Sequence, residues 1–241
     1  MAKLRVGNIE PQSGTNLTLG TSGDSVTVSS TELRVNTFKD VGGNTLWTSD
    51  GSGTLSSINS GLAGGGLTLI NTYNPSGVSS LDITTGIDST YDEYIVRFCD
   101  VKPDTDNVYL RFQADTGTNT SYNLQHTNTF WKAAHYVSNP NGSASYDPGV
   151  DDFQQTTPIK LMQGMSNASD DSTVGFVQIF QPSRTDCRKR FFSETTGIYE
   201  NPGVVANYIY GQWNTNSAIT RLQFSVDSGI WGGTFQLFGV S

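Results

Sequence analysis

Chemistry in a chain needs nucleophiles, bases or metal ligands held together, and this sequence offers few of them. His126 and His135 are its two histidines, nine residues apart on either side of Phe130-Trp131. No HExxH or Gly-x-Ser-x-Gly pattern occurs, so the spacings that put a zinc or an activated serine in place are missing. A histidine beside aromatics reads as a packed or half-exposed side chain. Carboxylates pair at Asp92-Glu93, Asp104-x-Asp106, Asp151-Asp152 and Asp170-Asp171. A glycosidase needs two carboxyls roughly 5–10 Å apart across a sugar, whereas neighbours on an extended backbone point to opposite sides. The loops at Asp104/Asp106 and Asp170/Asp171 hold oxygens of the type calcium accepts, but not in an EF-hand pattern; loop solvation is the favoured reading. Cys99 and Cys187 allow one disulfide and no metal framework. Cys99 ends the apolar run Tyr94–Phe98 and reads as a buried thiol; whether the two cysteines pair is left open. No catalytic residue, metal site or cofactor is assigned.

Binding chemistry is better represented. Tyr and Trp combine a flat apolar face with a polar handle. Most of the many aromatics are expected to fill a core, but Tyr146, Tyr199 and Trp231 fall in turn-like stretches and are expected to be exposed, ready to stack on a glycan or a partner. The one basic cluster, Arg184 with Arg188-Lys189-Arg190, reads first as a solvated turn and strand start, and second as a contact for an acidic sugar or a protein. Net charge is −8, which disfavours a phosphate backbone as partner.

The elements that would position these groups are strands. From Leu67 onward, about ten strand-like segments fill ~175 residues, with turn signals between them and almost no helical periodicity. Val108, Leu110, Phe112 and Ala114 alternate with Tyr109, Arg111 and Gln113, and Leu222, Phe224 and Val226 alternate with Ile219, Arg221 and Gln223. Pro103–Asp106, Asn139–Gly142 and Asn201–Gly203 read as turns. Lys189–Ser193 reads as a short strand and Pro158–Met162 as a weak one. Half-polar alternation suits antiparallel sheets wet on one side, so residues 67–241 are expected to form a jelly-roll-like β-sandwich of two sheets of about four or five strands.

The leading part is different. Of its first 66 residues, 31 are Gly, Ser or Thr. Leu17-Thr18-Leu19, Val26-Thr27-Val28, Leu33-Arg34-Val35, Thr45-Leu46-Trp47 and Thr54-Leu55 keep a strand period between turn clusters such as Asp40–Asn44 and Ser49–Gly53. No such rung is stable alone. Either the segment is disordered or identical copies share a core along an axis, and the second is favoured, with Leu17, Leu19, Val26, Val28, Leu33, Val35, Leu46 and Trp47 facing the axis or a partner chain. Residues 61–66, closing on Gly64-Gly65-Gly66, read as a hinge. The whole is all-β: a thin β-rung shaft (1–60), a Gly-rich hinge (61–66) and a sandwich head (67–241). The N-terminus lacks the apolar core of a signal peptide and no run reaches the ~20 residues that span a bilayer, so a cytoplasmically made chain with no membrane insertion is expected.

Met1–Gly14, Thr85–Tyr94, Phe180–Ser183 and Gly233–Val240 resemble stretches of fibre- and spike-type virion proteins of tailed phages that infect marine bacteria or cyanobacteria. The resemblance implies a homotrimeric, non-enzymatic virion appendage assembled in the host cytoplasm, with residues 1–60 attached to other virion proteins and the head touching the host surface, a glycan among the candidates. Two alternatives stand beside a tail fibre: a capsid decoration or head-fibre protein, and, in a different class, a polysaccharide depolymerase.

Overall fold

The computed structural model describes residues 35–40, 42–52, 55–56, 58, 66–117, 121–200 and 203–240. The chain divides at Gly64/Gly65 into two units. Among the described residues there are sixteen strands and no helix, and every strand pairing is antiparallel.

In the leading unit, β1 (Thr37–Lys39), β2 (Thr45–Ser49) and β3 (Leu55–Ser56) form a three-stranded meander in that order. The β1–β2 turn is built by Asp40, whose carboxylate accepts the Asn44 amide (2.8 Å) and side chain (3.0 Å), while Gly43 takes φ +83°. This is the use of Asp and Gly that the turn cluster suggests. Trp47 stacks on Phe38 across the strand pair (5.8 Å, 5° between planes). Of the strand expected at Leu33–Val35, only Val35 is among the described residues; it is half-buried and outside any strand, and the first described strand begins at Thr37. Leu17, Leu19, Val26, Val28 and Leu33 lie outside the described residues, as does most of the expected hinge.

The second unit holds thirteen strands in one sheet: β4 (Leu67–Tyr73), β5 (Ser80–Ile83), β6 (Glu93–Pro103), β7 (Val108–Asp115), β8 (His126–Tyr136), β9 (Asn139–Tyr146), β10 (Asp152–Gln155), β11 (Ile159–Met165), β12 (Thr173–Phe180), β13 (Lys189–Tyr199), β14 (Gly203–Trp213), β15 (Arg221–Val226) and β16 (Trp231–Val240). One long run pairs as β4-β16-β6-β12-β13-β14-β8, with β9 and β10 both on the far edge of β8. A second arm, β11-β7-β15-β5, joins it where Met165 pairs with Tyr199, just past the end of β12. The sheet curls until the arm lies over the long run. Phe112 on β7 meets Phe191 (5.9 Å) and Trp213 (5.5 Å), and Phe224 on β15 meets Phe235 (5.0 Å) and Phe98 (6.1 Å). These edge-on and tilted ring contacts are the geometries aromatic pairs prefer, and they form the centre of the core.

Alternation predicts much of this core on the arm: Val108, Leu110, Phe112, Ala114, Leu222 and Phe224 are all buried, while Val226 at the strand end is half-buried and Ile219, expected on the other face but preceding β15, is buried. Elsewhere the structure departs from the expectations. β13 is eleven residues long rather than a short strand, because β12 and β14 hold both its edges and side chains need contribute little intrinsic propensity. Asn139–Gly142 opens β9 after a tight turn rather than being the turn itself, and β10 pairs with β8 where no strand was expected. Cys99 is exposed and unpaired, as is the half-buried Cys187. On β6 the pleat sends Tyr94, Val96 and Phe98 inward, which places Cys99 outward with Arg97.

Candidate functional site

The outer face of β12-β13-β14 carries a groove of about 640 Å³, within the range of small-ligand sites. Three registers build its floor. Phe180 is opposite Arg190, Phe192 opposite both Gln178 and Tyr210, and Arg190 opposite Gln212. All of these point away from the core because β13 buries the alternate set, Lys189, Phe191 and Ser193. Phe192 stacks on Phe180 (5.6 Å, 30°) and is tilted against Tyr210 (6.1 Å, 32°), while Phe176 meets it edge-on (5.5 Å). Tyr210 is 55 % exposed. A ladder of rings thus faces outward, where a sheet wet on one side would ordinarily carry polar side chains.

The groove's wall is the loop that leaves β12. Gln181 takes φ +49°, a conformation uncommon outside glycine, and its amide bonds Asp92 O (2.6 Å), which turns the chain sharply outward. Arg184 Nε donates to Asp186 Oδ1 (2.8 Å), with a second contact between the same two groups. That guanidinium holds the Asp186 carboxyl at about 2, below the usual 3.8. Arg188 Nη1 donates to the neutral Asn214 Oδ1 (3.3 Å). Arg190, exposed on the floor, makes no hydrogen bond or ion pair among the described residues. On the opposite rim, Glu93 Oε2 accepts Gln178 Nε2 (2.6 Å), and the Asp92 carboxylate lines the opening.

Lys189 is a correction. Within the basic cluster it reads as a solvated cation, yet it is fully buried. Its Nζ donates to Cys187 O (2.8 Å) and Asn216 O (3.1 Å), tying the groove wall to the loop after β14. Burial pushes the ammonium below its ordinary pKa, as expected where a cation meets carbonyls rather than a carboxylate.

No family model, curated protein or solved structure matches this chain.

The three aromatics singled out by sequence fall in different places. Trp231, expected to be exposed, is 2 % exposed. It starts β16, its Nε1 donates to Ser79 O (3.2 Å), and its ring meets Phe235. The neighbouring glycines that suggested a turn are strand residues here. Tyr199 is half-buried against Tyr136, and burial raises its phenol pKa. Tyr146 is exposed at 41 %, packs against the half-exposed Trp131 (5.8 Å) and donates its hydroxyl to Asp151. The structure does not bring the three together. Leu46 and Trp47 are half-buried on β2.

His126 and several of the carboxylates hold local structure. His126 is buried with Nε2 3.1 Å from Asp152 Oδ2, which ties β10 to β8. Asp104 Oδ1 accepts the Ile230 amide (2.8 Å), and Asp106 Oδ1 the Asn167 amide (3.2 Å). No group of three or more His, Cys, Asp or Glu able to hold a metal ion occurs among the described residues. The groove's rings went unnoticed in sequence because Phe180, Phe192 and Tyr210 are each ordinary strand residues. Only their register makes them a surface.

Proposed function

We propose that this chain is a non-enzymatic virion appendage of the fibre or spike type, three copies of which assemble around the leading segment. Residues 1–60 form the virion anchor and a shaft of β-rungs, 61–66 the hinge, and 67–241 a jelly-roll-like head that touches a host-surface glycan. The observation that carries this reading is the meander of the leading unit. Its apolar side chains stay open to solvent: Phe38 is 44 % exposed, Leu55 49 % and Ile58 48 %. The described strands are short, one of them two residues long, and a sheet of this size needs a covered hydrophobic face to be stable. Covering each half-exposed side chain is worth about 1 kcal/mol, and three copies multiply that gain along a shared axis toward which the Phe38–Trp47 face would turn, with Leu46 on the opposite face toward a partner chain. The outward ring ladder of the head supports a binding role, and a trimer turns weak contacts into avidity.

Mass in solution, measured by light scattering on the full chain at micromolar concentration, tests the proposal. A three-chain particle is the expected result; a monomer removes its physical basis.

A further inference from the structure

We propose that the groove over β12-β13-β14 takes an anionic oligosaccharide, its sugar faces stacked on Phe180, Phe192 and Tyr210 and its carboxylate or sulfate held by Arg190 and Arg188. This rests on reading the head as a glycan-contacting surface and adds the chemical class of the glycan. Three observations point to it. The first is the floor: ring centres 5.6 and 6.1 Å apart, with planes about 30° from one another, make a continuous apolar strip, against which the apolar faces of successive sugar units can lie. The second is charge. The chain carries 22 Asp and Glu against 14 Lys and Arg, so most of its surface repels an anion, yet this groove holds two guanidiniums that make no ion pair among the described residues. Arg184 is neutralised by Asp186, whereas among the described residues Arg188 bonds the neutral Asn214 side chain and the Arg190 side chain makes no hydrogen bond. A planar guanidinium presents forked donors that fit a carboxylate or sulfate bidentately. The third is the opposite rim, where Asp92 and Glu93 line the groove and the Glu93 carboxylate already accepts Gln178 Nε2. Hydroxyls satisfy these carboxylates; a second anion is repelled. That asymmetry suits a sugar with a single charge and several hydroxyls, and it disfavours a polyphosphate backbone, which needs cations along its length.

Titration calorimetry on the full chain at low salt tests this with three hexamers: cellohexaose carrying a single glucuronate unit, cellohexaose carrying a single sulfate, and neutral cellohexaose. At least one anionic hexamer is expected to bind at least about ten-fold more tightly than cellohexaose, and the preference between carboxylate and sulfate identifies the anion. Arg190→Gln is expected to remove about ten-fold of that affinity, and Tyr210→Ala to weaken all saccharide binding. Both side chains are exposed, so thermal melting should show both variants folded. Equal binding of neutral and anionic hexamers, binding of neither anion, or an unchanged affinity in Arg190→Gln overturns the proposal. So does a change in oligomeric mass in either variant, which would make the groove a contact between copies. Mass measured on the same sample separates this inference from the appendage reading. A trimer that binds no anionic sugar defeats only the inference, and a monomer that binds one defeats only the appendage.

Discussion

Gly211→Ala probes the packing beneath the groove. Gly211 sits on β14 opposite Phe191, and its backbone is in a region any residue adopts, so the cost of a methyl there is purely steric. A Cβ at this position would lie 2.8 Å from Asn128 Cβ and 2.8 Å from Phe191 Cε1, with the ring tip nearer still. Carbon atoms pack best at about 3.5–4.0 Å, so the Phe191 ring must retreat by roughly 1 Å. It has little room: Phe191 packs against Trp213 at 4.5 Å and Phe112 at 5.9 Å. Overpacking a filled core costs about 1–3 kcal/mol, and that loss should appear as a lower urea midpoint with an unchanged slope. Gly149→Ala is the control, since its Cβ would meet its nearest neighbour, Asp147 Oδ1, at 3.5 Å. That variant should be neutral or slightly stabilising through the unfolded chain. Adding Phe191→Leu to Gly211→Ala should recover part of the loss, giving a favourable coupling of about 1 kcal/mol in a double-mutant cycle. Equal midpoints for Gly211→Ala and Gly149→Ala would refute the packing argument. So would the absence of coupling.

Two further outcomes follow from the fold and the loop. Phe112→Ala removes the ring that joins the arm to the long run, and should cost about 3–5 kcal/mol by urea unfolding, whereas Phe153→Ala, at a side chain 72 % exposed, should change stability little. The Asp186 carboxyl should titrate near 2 by NMR. Because its folded pKa lies below the ordinary 3.8, any stabilisation from its pairing with Arg184 is present above that value and fades as pH falls through about 2. The pair is solvent-exposed, so Asp186→Asn should raise no measurable change in melting temperature at neutral pH.

Sequence alone determined that the chain is all-β, where its best turns are and which residues alternate. Asp40–Asn44 makes a turn because a carboxylate can bond its own loop amides, and Val108–Ala114 buries every second side chain because the pleat has period two. Both are local facts, readable within a few residues. Tertiary structure decided which face of a strand is the inside. Cys99 follows an apolar run and still faces outward; Trp231 sits among glycines and is buried; Lys189 looks like part of a basic surface and lies beneath it, held by two carbonyls. Strands with weak signals, β9 and β10, exist because β8 offers them an edge. The groove is the clearest case. Phe180, Phe192 and Tyr210 are far apart in the chain, and only the pairing of β12 with β13 and β13 with β14 lines them up. Register is a non-local property, set by which hydrophobic faces must share one core, and a single strand's residues carry no record of its neighbours.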